Sequence, residues 1–211
     1  MGRAGVPYRK SRPSRPAGYK HYKMMNRLLL DQTALTGSLA ICTIATPSIC
    51  SPRRLVMHLS QVLPQLFVGS CPTNTDDINH LKADYGITAI LNLQTDHDFD
   101  YCELDWGRIE SRCKELGIAV QRIPVRAFDG EDLRRKLSQC VQALDTLLKN
   151  GQTVYTHCNV GMGRSPSVAI AYLVWRQSWN LNDAIEHVTR CRSCSPNIEA
   201  IVQAGIDRAA A

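Results

Sequence analysis

The chain has 211 residues, of which 44% are hydrophobic, and a formal net charge of +6. This length and composition favour one folded domain with an appendage, and they exclude a chain that is disordered throughout. The longest apolar stretch, residues 35–49, is too short and too often interrupted to span a membrane, and nine cysteines at irregular spacing exclude a secreted disulfide framework.

The net positive charge of the chain comes from its first 54 residues. They hold ten Lys and Arg residues and one acid, Asp31, whereas the remaining residues sum to −3. The segment is rich in Ser, Thr and Pro, a composition typical of an organelle transit peptide or of a disordered basic arm; an extension upstream of a later start codon is a third interpretation. We therefore place the folded domain at residues 55–211 and expect a plastid location, or otherwise a cytoplasmic one. We expect no nucleic-acid partner and no membrane association.

From Leu55 onward, strand and helix patterns alternate. The apolar runs predict strands at residues 66–68, 88–93, 119–125 and 153–156. Capping residues and helical spacing predict helices from a Thr75 cap through Tyr85 and at residues 105–116, 133–148, 164–178, 181–190 and 196–208. This alternation predicts an α/β domain with a central, mostly parallel sheet flanked by helices.

The loop between the last predicted strand and the next helix carries the candidate chemistry. Its sequence is His157-Cys158-Asn159-Val160-Gly161-Met162-Gly163-Arg164-Ser165. Glycines allow the backbone to wrap around a ligand, and the N–H groups of residues 159–164 at the helix start are expected to bind phosphate oxygens. Arg164 offers a planar, permanently charged fork for two of those oxygens.

Cys158 is the expected nucleophile of this loop. The positive surroundings should lower its pKa, and the resulting thiolate can attack phosphorus to form a thiophosphate that water hydrolyses. His157 and Ser165 are expected to orient the thiolate. This chemistry requires no cofactor and no metal, and the Cys191-x-x-Cys194 pair lacks the second ligand pair of a zinc site.

The pattern His157-Cys158-x-x-Gly161-x-x-Arg164-Ser165 resembles the signature of the protein tyrosine phosphatase superfamily in its dual-specificity branch, which implies a dual-specificity phosphatase-like fold with the catalytic loop between a strand and a helix. Residues 62–201 more closely resemble plant starch-excess-type, laforin-like glucan phosphatases. The matching stretches are residues 66–70, 90–94, 112–118, 128–129, 133–134, 158–164 and 194–196. This resemblance implies a phosphorylated α-glucan substrate and an aromatic channel, in which Phe128 and Tyr101 are candidates for stacking on sugar rings.

Two positions depart from the glucan phosphatase pattern. The family's general acid is an aspartate immediately before Phe128, where this chain has Ala127. Asp129 is the best substitute, although a carboxylate there can equally cap the next helix, and Asp132 is the next candidate. The family's Tyr-Trp pair is replaced by Tyr101-Cys102, so one stacking platform is missing.

Three functions therefore compete. The leading hypothesis is a phosphoglucan phosphatase, and the alternative is a dual-specificity protein phosphatase that acts on phosphotyrosine and phosphoserine or phosphothreonine. The third is a weakly active, phosphate-binding scaffold, because the usual acid is replaced by alanine. The expected partner is the phosphorylated glucan or phosphoprotein substrate, and the sequence leaves the oligomeric state open.

Overall fold

The computed structural model of the protein describes residues 57–210. The basic segment 1–54, with its predicted targeting or disordered role, lies outside the described residues. The five strands of the described part are β1 Leu59–Leu63, β2 Leu66–Gly69, β3 Ala89–Asn92, β4 Ala119–Arg122 and β5 Val154–His157. Its helices are α1 Thr75–Tyr85, α2 Asp96–Cys102, α3 Trp106–Glu115, α4 Gly130–Lys149, α5 Arg164–Arg176, α6 Leu181–Cys191 and α7 Ile198–Ala210.

The strands form one sheet in the order β1-β2-β5-β3-β4. Strand β1 pairs antiparallel with β2, and every other pairing is parallel. All four residues of β2, β3 and β5 are buried, because helices cover both faces of the sheet. This explains their continuous apolar runs. The predicted α/β architecture is confirmed, and β5 lies at its centre.

Adjacent residues along a strand point into two separate cores. Val68 and Leu91 contribute to a core shared with α4–α7, whereas Phe67 and Ile90 contribute to a core shared with α1 and α3. The larger core lies on the face of the sheet that α5 covers. No helix within residues 57–210 is long and apolar enough to cross a membrane.

The structure corrects three local predictions. The N-cap of α1 is Asn74 rather than Thr75, because the Asn74 side chain accepts from the backbone N–H groups of the first turn. Strand β4 ends at Arg122 instead of continuing to residue 125, although the backbone N–H groups of Ile123 and Val125 still donate to the carbonyl oxygens of Asn92 and Leu93. The edge strand β1 and the short helix α2 were not predicted.

Candidate active site

The candidate catalytic loop follows the central strand. Strand β5 ends at His157, helix α5 begins at Arg164, and residues 158–163 connect them. The His157 ring is fully buried, and its Nδ1 lies 3.2 Å from the carbonyl oxygen of Cys158. Burial lowers the pKa of His157 to about 4, so the ring is neutral and acts on the loop by hydrogen bonding.

Gly161 is required by the shape of this loop. Its φ of +68° lies in the left-handed region, and a Cβ at this position would lie 2.5 Å from the carbonyl group of Gly69 on β2. The loop and the end of β2 are therefore packed backbone to backbone.

Cys158 lies at the bottom of the loop with 2% of its surface exposed. Burial alone would raise its pKa, but the charge of Arg164, the Ser165 hydroxyl and the backbone N–H groups of Ser165 and Gly161 lower it below the ordinary value of 9.0. The Ser165 Oγ is 3.5 Å from the sulfur atom. The loop thus stabilises the thiolate form that a nucleophilic attack on phosphorus needs.

Arg164 is held by a buried network. Its Nη1 donates to the carbonyl oxygen of Val125 at 2.6 Å and to Asp98 Oδ2 at 2.8 Å. Asp98 Oδ1 also accepts from the Asn159 side chain, at 2.6 Å. The Asp98 carboxyl is 3% exposed, and although burial alone would raise its pKa, Arg164 and its other donors lower it. Asp98 therefore fixes both the arginine and one residue of the loop.

Sequence reasoning missed Asp98. It lies in an acidic run on α2, 66 residues before Arg164, and nothing in its spacing distinguishes it from the neighbouring Asp96 and Asp100. The available signal was local, since Thr95 and Asp98 form a reciprocal capping box at the start of α2. That motif predicts a helix that carries Asp98, but not the ion pair.

Asp129 is the N-cap of α4. Its Oδ1 accepts from the backbone N–H of Asp132 at 2.8 Å, and its Oδ2 lies 2.8 Å from Arg126 Nη2. Asp132 is buried and accepts from the backbone of Arg126 and from Lys136. Both carboxylates thus have structural partners, and proton donation by Asp129 stays a prediction.

The two aromatic candidates extend from segments that touch Arg164. Phe128 follows Val125 by three residues, is 73% exposed and has a φ of 60°, which is uncommon for a bulky side chain. Tyr101 is half-buried and lies about one helical turn beyond Asp98 on α2. The next residue, Cys102, shares a hydrogen bond with Cys71 that, together with burial, raises the pKa of the Cys71 thiol.

A buried cysteine in a backbone loop, with a lowered pKa and an arginine six residues later, defines a cysteine-dependent phosphatase of the Cys-x5-Arg type. Residues 66–204 match the family model described as "Dual specificity phosphatase, catalytic domain", and the chain belongs to that family. The resemblance read from the loop sequence is confirmed.

Curated relatives include proteins of both substrate classes. The chain is 35% identical over 153 residues to a chloroplastic phosphoglucan phosphatase of Arabidopsis thaliana, an alignment that covers 72% of this chain and 26% of that protein. It is 34% identical over 135 residues to laforin of Mus musculus, with 59% and 41% covered. Dual specificity protein phosphatase 2 of Mus musculus is 26% identical over 144 residues, with 68% and 41% covered. The chain thus spans less than half the length of these relatives.

Solved structures share the fold. The crystal structure of PTPMT1 in complex with PI(5)P gives a TM-score of 0.60 at 21% identity, covering 72% of this chain and 99% of that one. A human tyrosine phosphatase-like serine/threonine/tyrosine-interacting protein gives 0.58 at 21% identity, covering 72% and 95%. Both support the α/β phosphatase architecture.

Proposed function

We propose that this phosphatase removes phosphate from a phosphorylated α-glucan. The observation that carries the proposal is Phe128, whose largely exposed ring extends from the segment that binds Arg164. An exposed aromatic ring is a suitable platform for a sugar ring, which has an apolar face. The 35% identity to a phosphoglucan phosphatase over most of the catalytic domain supports the same substrate class.

The proposed mechanism starts from the geometry of the loop. The loop N–H groups and Arg164 bind the phosphate oxygens, and the Cys158 thiolate attacks phosphorus as the bond to the sugar oxygen breaks. The leaving oxygen needs a proton, which Ala127 cannot supply. Asp129 is the proposed donor, and it would have to exchange its contact with Arg126 for one with the substrate. Water then hydrolyses the thiophosphate and releases inorganic phosphate.

The substrate class can be tested with Phe128→Ala and Tyr101→Ala. Phosphate release is measured from solubilised phosphorylated amylopectin, from a phosphotyrosine peptide and from para-nitrophenyl phosphate. Both variants should lose activity on amylopectin alone, because only a long substrate uses contacts remote from the phosphate. Tyr85→Ala is the matched control, since Tyr85 is also an exposed aromatic residue. It is the last residue of α1 and lies near the start of β3, whereas the catalytic loop follows the end of the parallel strand β5.

The competing functions give different outcomes in the same assay. Preference for the phosphopeptide, with both aromatic variants neutral, would identify a dual-specificity protein phosphatase. Binding of phosphate without turnover of any substrate would identify a weakly active scaffold. Cys102→Trp should increase glucan affinity, because it adds the aromatic ring that the glucan phosphatase pattern has at this position.

We also propose that residues 1–54 direct the protein to plastids. Their basic, acid-poor composition and the similarity to a chloroplastic phosphatase support this location. A fusion of residues 1–54 to a fluorescent protein should enter the plastids of a leaf cell, and a diffuse cytosolic signal would contradict the proposal.

A further inference from the structure

The backbone carbonyl groups of the catalytic loop are held by hydrogen bonds from residues outside the loop. Each carbonyl oxygen of residues 159–163 accepts a hydrogen bond from a group outside the loop. In chain order the donors are Cys71 N (2.9 Å), Arg192 Nη2 (2.9 Å), Arg192 Nε (2.7 Å), Ser195 N (2.8 Å), and Ser167 N and Oγ (3.0 and 2.8 Å).

These outward bonds set the direction of the loop's N–H groups. The peptide bonds of residues 57–210 are all trans, and in a trans peptide the C=O and the N–H of the same plane point in opposite directions. When the carbonyls of residues 159–163 point outward, the N–H groups of residues 160–164 therefore point inward. The donors outside the loop thus determine whether phosphate meets a converging set of N–H groups.

Arg192 supplies two of these bonds from one side chain. It follows the last residue of α6, and its guanidinium reaches the adjacent carbonyls of Val160 and Gly161. A Cβ at Gly161 would lie 2.5 Å from Arg192 Nη2, so the loop and the guanidinium are in close contact. The planar fork presents two N–H donors to two neighbouring acceptors in a fixed geometry, which the single nitrogen of a lysine ammonium does not reproduce.

We propose that Arg192 is a positioning residue for the phosphatase reaction, which holds the loop carbonyls outward so that the N–H groups bind the phosphoryl oxygens. The proposal rests on the Cys158 chemistry but does not depend on whether the substrate is a glucan. Arg192 also acts electrostatically: burial lowers its pKa, and the Tyr155 and Cys158 groups oppose that shift, so its charge is sensed at the nucleophile.

The test compares Arg192→Met and Arg192→Lys with the wild type. Arg190→Met is the matched control, because Arg190 is exposed and lies two residues earlier, in the last turn of α6. The measurements are kcat/KM for para-nitrophenyl phosphate as a function of pH, inhibition by orthovanadate, the pH dependence of Cys158 alkylation by iodoacetamide, and the thermal midpoint.

Arg192→Met should lower kcat/KM by roughly 10- to 100-fold, less than the 10²–10³-fold that loss of a direct oxyanion donor costs. It should also weaken vanadate inhibition and move the acid limb of kcat/KM and of alkylation to higher pH. Arg192→Lys should recover most of the pH shift but not the rate, since it restores the charge without the fork. Arg190→Met should match the wild type.

The proposal would be overturned if Arg192→Met had the kinetics, the pH profile and the vanadate inhibition of the wild type. It would also be overturned if the loss of kcat/KM were explained entirely by a lower thermal midpoint. If Arg192→Met does not fold, Arg192→Lys decides, because wild-type kcat/KM in that variant contradicts a role for the fork. If the wild type itself does not turn over the aryl phosphate, the phosphatase function fails separately, and vanadate binding and alkylation still decide the role of Arg192.

Discussion

Replacing Asp98 by asparagine isolates the charge that faces Arg164. Asparagine has the same shape and keeps one oxygen acceptor, but it removes the negative charge from a carboxyl that is 3% exposed. Two contacts to Arg164, at 2.8 and 3.4 Å, then lose their ionic character, and the buried guanidinium loses its carboxylate partner. The capping-box contact to Thr95 is also weakened.

The expected loss of stability is large for one conservative substitution. Removing one partner of a buried ion pair typically costs about 3–5 kcal/mol, and the retained acceptor favours the lower end, about 3 kcal/mol. For a domain of this size, roughly 2–4 °C of thermal midpoint corresponds to 1 kcal/mol, so a decrease of about 6–12 °C is expected at pH 7. Asp96→Asn is the control: its carboxylate also pairs with an arginine but is 89% exposed, so it should cost about 0–1 kcal/mol.

The assay is thermal unfolding of the wild type and both variants between pH 7 and pH 3, followed by circular dichroism. Because the folded pKa of Asp98 is lowered, its contribution is complete above the unfolded pKa of about 3.9 and is lost as the pH falls through the folded pKa. The gap between wild type and Asp98→Asn should therefore persist from pH 7 to about pH 5 and shrink below about pH 4. Equal midpoints for Asp98→Asn and Asp96→Asn at pH 7 would refute this reasoning.

Three further predictions concern the reaction. Cys158→Ser should abolish turnover yet keep phosphate binding, because a serine hydroxyl is not ionised at neutral pH; substantial turnover of any phosphoester by this variant would exclude the thiolate mechanism. Ser165→Ala should move the acid limb of kcat/KM to higher pH, since the hydroxyl lowers the pKa of Cys158, and an unchanged pH profile would contradict that role. Asp129→Asn should slow glucan hydrolysis far more than hydrolysis of para-nitrophenyl phosphate, whose leaving group needs little protonation, and Asp132→Asn should not discriminate; equal losses on both substrates would leave Asp129 with its capping role alone.

The parts of the fold and site that are local in sequence were predictable. The catalytic loop is one contiguous stretch, so Cys158 and Arg164 could be recognised together with the strand before them and the helix after them. Most helices and parallel strands were predicted because buried elements leave a clear apolar pattern. Element ends were less accurate, as Thr75 and the end of β4 show; the start of α1, for example, is determined by the side-chain cap of Asn74.

The missed parts depend on distant partners. Strand β1 is an edge strand with a mixed pattern, which becomes regular only through its pairing with β2. Asp98 and Arg192 lie 66 and 28 residues from Arg164, and each reaches the loop through a chain reversal that sequence spacing does not reveal. Asp129 shows the converse, because a carboxylate before a helix fits capping and proton donation equally well until its partners are seen.

The outward-bonded carbonyls of the loop have a consequence for how this domain can change its substrate. Apart from the Arg164 side chain, the groups of the loop that bind phosphate are main-chain N–H groups, so the half-buried side chains of Val160 and Met162 do not have to shape the cradle. We expect that these two positions, together with Phe128 and Cys102, can be exchanged without rebuilding the catalytic centre. A mutational library confined to these four sites should therefore yield many active enzymes with altered preferences, which makes the domain a practical starting point for directed evolution.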